Sequence, residues 1–209
     1  MYLMGLRRTL TGVTFREPDE VALWRRAAGG DGAAFGAVFD VHRARVYTAA
    51  LRWAGVRTDA EDITASVFLE LWRRRSAVRV VEGSVLPWLL VTTANVARNT
   101  ARSRRRYANF LRQLPQDRHA PAAEQVALDG AWLIDPELRA ALARLPEQDA
   151  ALLSMLAFED MSITDAAAAL GVTVQAAKTR LHRARGRVRP LLPDFDPALR
   201  TAIAEGTSR

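Results

Sequence analysis

At 209 residues, nearly half of them hydrophobic, the chain has enough apolar material for one large or two small domains. The absence of cysteine excludes disulfides, thiol catalysis and cysteine-ligated zinc, and His42, His119 and His182 are too scattered to hold a metal. The net charge of +7 is concentrated in two acid-free, arginine-rich stretches, Gly83 to Gln116 and Ala166 to Pro193, which suits a polyanion gripped at two places.

The opening MYLMGLRRTLTG lacks the apolar core of a signal peptide, and no run approaches the length of a membrane span. The chain is therefore expected in the cytoplasm. Residues 1–30 read as a leader, in which Glu20 to Ala28 forms a short helix with Val21 and Trp24 turned inward. Asp31 caps the first strongly patterned helix. Phe35, Val38, Phe39, His42, Val46, Ala49, Ala50 and Trp53 recur there with the 3.6-residue period, and Gly55 ends it. On that face His42 reads as a packed core histidine.

Thr58-Asp59-Ala60-Glu61 has the form of a capping box, Thr58 at the cap and Glu61 three residues later. The helix it predicts runs to about Arg75, with Ile63, Val67 and Leu71 in line, Phe68 and Trp72 beside them, and Asp59, Glu61, Asp62 and Glu70 adding acid. Phe68 and Trp72 fit either an ordinary core or an interface anchor.

Pro87 opens a further helix, where its missing N–H does no harm. It begins apolar (Leu86, Trp88, Leu89, Val91), turns polar at Thr92, Thr93, Asn95 and Asn99, and ends basic at Arg98, Arg102, Arg104, Arg105 and Arg106. Trp88 fits a core residue or a base-stacking platform. Residues 107–135 are weakly periodic, and Leu114 to Ala123, with Pro115 and Pro121, reads as the heart of an interdomain linker.

Pro136 then opens a helix with Leu138, Leu142 and Leu145 inward, and Pro146 the next, with Leu152, Leu153 and Leu156 inward. Two short helices follow. Ser162 caps the first and Gly171 supplies the turn. Thr173 caps the second, with Ala177, Leu181, Ala184 and Val188 on one side and Lys178, Arg180, Arg183, Arg185, Arg187 and Arg189 over much of the rest. This is the pattern of a helix-turn-helix unit with a basic recognition helix. No segment alternates with period two, so the expected fold is all-α, with two small helical domains joined by a flexible linker.

Three blocks carry a resemblance: DAEDITASVFLELWRR, PWLLVTTANVARNTARSRRR, and LPEQDAALLSMLAFEDMSITDAAAALGVTVQAAKTRLHRARGRVR. Together, in this order, they resemble the extracytoplasmic-function (group IV) sigma factors of the sigma-70 family of bacterial RNA polymerase. The resemblance implies a sigma region 2 domain over 31–106, a linker over 107–135, a region 4 domain over 136–192 and a short tail over 193–209. It implies that Asp59, Asp62, Phe68, Leu69 and Trp72 bind core polymerase through its β′ and β subunits. Trp88, Asn95, Arg98, Asn99, Arg102, Arg104, Arg105 and Arg106 would recognise and melt the −10 element. Thr173, Lys178, Thr179, Arg180, His182, Arg183 and Arg185 would read the −35 duplex.

The chain departs from the family pattern at Ala65 and Ser66, where a polar Gln-Glu pair is common, and at Asn99, where Asp is frequent. The implied protein is a promoter-directing initiation factor, not an enzyme. It needs no cofactor or metal, is monomeric when free, binds polymerase and promoter DNA, and has an anti-sigma factor as a further expected partner. The alternative from the second domain alone is an autonomous helix-turn-helix regulator. A magnesium nuclease built on Asp59, Glu61 and Asp62 fits poorly, because those carboxylates fall in a first helical turn with no general base beside them.

Overall fold

The computed structural model describes residues 20–113 and 136–191, which form eight α-helices, a closing 3-10 turn and no strand. The heart of the expected linker, residues 1–19 and the tail from 192 lie outside the described residues. The first four helices are α1 (Glu20–Ala28), α2 (Gly32–Ala54), α3 (Arg57–Arg73) and α4 (Leu86–Gln113). Their core is Trp24 and Ala27 of α1, Val38 and Val46 of α2, Ile63, Val67 and Leu71 of α3, and Leu89 and Ala97 of α4. Each such large side chain, taken fully out of water, contributes roughly 1.5–3 kcal/mol.

Local signals set most of these boundaries. Asp31 accepts from the N–H groups of Ala33 and Ala34, both at 3.0 Å, and so caps α2. Gly55 ends it in the left-handed conformation, φ 75°, donating to Leu51 O. The expected capping box does not form. The chain leaves Gly55 through extended Val56 and enters α3 at Arg57 with no side-chain cap, so Thr58 is already inside the helix. Val21 is also not inward: it is 37% exposed, and Ala27 takes the second buried position of α1.

What was expected as leader is thus partly structural. Glu20 accepts from Ser84 Oγ and Val85 N–H, both at 2.8 Å, and lies 2.8 Å from His42 Nε2. One carboxylate therefore ties α1 to α2 and to the start of α4. Burial pushes the Glu20 carboxyl up, but its hydrogen bonds to His42, Val85 and Ser84 and the His42 charge outweigh that and hold it below the usual glutamate range. His42 is buried, as expected.

The remaining helices are α5 (Pro136–Arg144), α6 (Glu147–Phe158), α7 (Ile163–Leu170) and α8 (Val174–Val188). Ser162 and Thr173 cap α7 and α8 by accepting from Asp165 N–H and Ala176 N–H, and Gly171 makes the intervening turn at φ 67°. Leu138, Leu142, Leu145, Leu152, Met155, Leu181 and Val188 fill this second core.

Two features differ from the expected layout. Helix α4 continues past Arg106 to Gln113, because nothing before Pro115 interrupts it, so the first residues of the expected linker are helical. The second core is also not closed on itself: Ala49 of α2 and Leu86 and Leu90 of α4 belong to it. Polar contacts lock the same seam. Glu159 accepts from Arg45 at 3.0 Å and Arg52 at 2.6 Å, the Arg52 guanidinium lies 5.1 Å from the Phe158 ring, and Arg98 donates to Leu142 O at 3.3 Å. A Cβ on Gly55 would fall 1.8 Å from Arg139 Nη1, so the absence of a side chain there leaves room for the Arg139 guanidinium against the end of α2.

Candidate nucleic-acid interfaces

Helix α8 presents two faces. Ala177, Leu181, Ala184 and Val188 are buried, while Lys178, Thr179, His182 and Arg183 are exposed. No carboxylate interrupts that outer face. Thr173, at the cap, is exposed at the N-terminal end, where a recognition helix meets base edges. Arg185 is half-buried, and burial pushes its guanidinium below the usual arginine range.

Beside this face lies a feature that the sequence did not flag. Asp149, in the first turn of α6, is buried, and its two oxygens meet Arg180 Nη1 at 3.4 Å and Arg187 Nη1 at 3.3 Å. Asp149 reads in the sequence as an ordinary acid at a helix start, which the helix dipole favours. Its partners lie 31 and 38 residues away, beyond any local pattern.

Helix α4 is organised differently. Its first half is packed: Trp88 leans on the first core, Ala94 is buried, and buried Thr93 bonds back to Leu89 O. Asn95 is half-buried, and its Oδ1 is enclosed without a hydrogen-bond partner. From Ala101 to Arg112 every residue is exposed, so Arg102, Arg104, Arg105 and Arg106 stand on a projecting arm, with Asn99 exposed just before it. Arg98, Arg102, Arg105 and Arg139 line a cleft between α4 and α5. Burial, the main cause, lowers the Arg98 pKa; Glu147 draws it back up and Arg102 adds a smaller depression.

On α3 the expected contact set divides. Asp62 is exposed and Leu69 is 58% exposed, seven residues apart and hence on one face, with small Ala65 and Ser66 between them. Trp72 is half-buried, its ring edge-on to Phe35 with centroids 5.0 Å apart and the Arg75 guanidinium 4.4 Å from its own centroid. Phe68 is only 4% exposed and packs edge-on against Phe39, which makes it core. Asp59 is buried and takes both guanidinium nitrogens of Arg104 in a bidentate pair. Phe68 and Asp59 therefore do not lie on the outer surface of α3, because the aromatic side chain has a better partner inside and the carboxylate has an arginine.

No group of three or more potential metal ligands occurs among the described residues, and none of their helices is long and apolar enough to cross a membrane. Comparison with known proteins gives these surfaces a family. The sigma-70 region 2 family matches residues 38–107, and the sigma-70 region 4 family matches residues 136–188. The extracytoplasmic-function (ECF) RNA polymerase sigma factor SigE of Mycolicibacterium smegmatis is 31% identical over 156 residues, 72% of this chain and 58% of SigE. The chain belongs to the ECF sigma factors of the sigma-70 family.

Two further ECF relatives come from Mycobacterium tuberculosis. SigK is 38% identical over 81 residues, 39% of this chain and 43% of SigK. SigL is 26% identical over 173 residues, 81% of this chain and 94% of SigL. The chain thus spans about half the length of SigE and SigK and nearly all of SigL. Among solved structures, CnrH in complex with the cytosolic domain of CnrY matches with a TM-score of 0.55 at 23% identity, covering 85% of this chain and 99% of CnrH, a likeness of fold. In family terms, region 2 spans most of α2, α3 and most of α4, and region 4 spans α5 to α8.

Proposed function

We propose that this ECF sigma factor is a dissociable initiation subunit that directs core RNA polymerase to promoters and assists their opening, without enzymatic activity of its own. The observation that carries this reading is the pairing, in one chain, of a capped basic helix in a helix-turn-helix with a long helix ending in an arginine arm. A stand-alone regulator would need only the first. Core polymerase docks on the exposed face of α3, with Asp62, Leu69 and the open edge of Trp72 as its contacts. Region 4 reads −35 duplex through Lys178, Thr179, His182 and Arg183. The arm of α4 holds the phosphates of the melted −10 strand, and Asn95 and Asn99 accept an extruded base, whose unstacking costs a few kcal/mol that pocket contacts offset.

The packing of region 4 on α4 bears on the order of events. Arg98 is half-buried and bonded to Leu142 O of α5, so the −10 surface becomes complete only when region 4 moves off α4. This suits a protein that is compact when free and extended on a promoter. It also suits an anti-sigma partner that holds the compact form, in keeping with the partner-bound state of CnrH. The site of action is the cytoplasm, where polymerase is.

Reconstitution with bacterial core polymerase on fragmented genomic DNA, with sequencing of transcript starts, tests this function. Discrete starts sharing upstream −35 and −10 motifs are expected. Tight, specific duplex binding with no affinity for core polymerase would instead make the chain an autonomous helix-turn-helix regulator.

A further inference from the structure

Asp149 is one of very few buried charged groups among the described residues, and it faces the DNA-reading helix rather than the core. Its side chain is 6% accessible, and each oxygen holds a single arginine nitrogen at the long end of the hydrogen-bond range, 3.4 Å for Arg180 and 3.3 Å for Arg187. These two arginines stand two helical turns apart on one side of α8, and Arg183 lies between them in sequence. Arg183 lines the same cleft as Asp149 and makes no hydrogen bond or ion pair among the described residues. One carboxylate therefore neutralises part of a three-arginine face and leaves Arg183 uncommitted.

From this geometry we infer that Asp149 is a positioning residue that sets the sequence discrimination of α8, by tethering Arg180 and Arg187 away from DNA phosphates. The inference rests on the reading of α8 as the −35 duplex reader and revises the expectation that Arg180 is a direct DNA contact. Phosphate contacts add affinity without sequence information, whereas base-edge contacts specify. A recognition helix with every arginine free would bind any duplex. Holding two of them on a buried acid lowers binding to random sequence and leaves Lys178, Thr179, His182 and Arg183 to decide the site. Asp149 touches no DNA itself, and it acts through the arginines.

The test uses the full-length protein and a random-sequence 20-bp duplex, with affinity followed by fluorescence anisotropy across a salt series. If wild-type region 4 neutralises about six phosphates, its log–log salt slope is near −5. Asp149→Asn keeps the side-chain volume and releases both arginines, so the slope is expected to steepen by about two, to roughly −7. Adding Arg187→Gln to that variant should take back about one unit, whereas Arg187→Gln in the wild-type background should leave the slope within about half a unit. Selection of duplexes from a random pool should give Asp149→Asn a blurred motif beside that of wild type. A merely structural salt bridge would lower thermal stability and leave slope and motif alone.

An unchanged slope in folded Asp149→Asn overturns the tether. So does a slope that becomes shallower by about one unit in Arg187→Gln alone, since that would place Arg187 already on phosphate, and this arm holds even where Asp149→Asn does not fold. Failure of the wild-type chain to enrich any duplex motif, alone and with core polymerase, overturns the −35 reading and the tether with it.

Discussion

The two basic helices, α4 and α8, are both amphipathic, but they are divided in different directions. Helix α4 is divided along its axis: its first half is packed between the two cores, and from Ala101 to Arg112 its residues are exposed, Arg104 reaching back to Asp59. Helix α8 is divided around its circumference, with a buried line from Ala177 to Val188 and a basic outer face along the same length. The difference matches the nucleic acid each would meet. An arm can follow the backbone of a single strand, whereas a helix seated lengthwise on a core can be laid into a groove.

Both regions also place an aspartate at the third residue of a neighbouring helix, against the basic one. Asp59 of α3 takes Arg104 alone, and Asp149 of α6 takes Arg180 and Arg187. On α4 this leaves Arg102, Arg105 and Arg106 on the arm. On α8 it restrains two of the basic side chains.

The largest effect that would break this comparison comes from the region 4 core. Leu152 is fully buried, so Leu152→Ala should cost about 2–5 kcal/mol. In calorimetry the α5–α8 transition should fall most, and that of α1–α4, which has its own core but lends Ala49, Leu86 and Leu90 to the second, should fall less. A uniform shift of one transition would merge the halves into a single cooperative unit. Next, Arg183→Ala should remove about 1–3 kcal/mol of discrimination at −35-bearing promoters and leave core polymerase affinity unchanged in a pull-down titration. Equal loss of both would make Arg183 structural.

A smaller change is expected from Asp59→Asn, which releases Arg104. Its side chain is 56% exposed, so the freed guanidinium is rehydrated and the cost should be about 1 kcal/mol in the denaturant midpoint. A loss several times larger would show that Asp59 organises the start of α3 and not only one arginine. The smallest effect is the pH response of Glu20. Its folded pKa is depressed, so the stabilisation is present above the ordinary glutamate range and fades as pH falls through the folded value. Denaturant midpoints of Glu20→Gln should lack that acid-side loss. An identical acid profile in the two proteins would remove Glu20 as its source.

Local chemistry makes much of this molecule legible in the sequence. Asp31, Ser162 and Thr173 cap because a short oxygen-bearing side chain reaches the N–H two or three residues on, and Gly55 and Gly171 stop helices because they alone take positive φ there without strain. The 3.6-residue period named the buried faces of α2 and α8, and the order of the motifs named the family. The box at Thr58 misled for the same reason: its pattern is local, but the entry to α3 was decided by how closely Gly55 and Val56 join two packed helices.

What periodicity left open, tertiary packing decided. Phe68 and Trp72 had equal claims to core and interface, and Phe39 and Phe35 on α2 settled how far each turns inward. The Glu159 bridge to Arg45 and Arg52 spans more than a hundred residues, and the Asp149 pairs span more than thirty, so no window of sequence contains both partners. A charge in a sequence records that an arginine or aspartate is present. Whether it faces water, a phosphate or its opposite is fixed by which helices lie against it, because an ion leaves water only where a partner stands within a few ångströms.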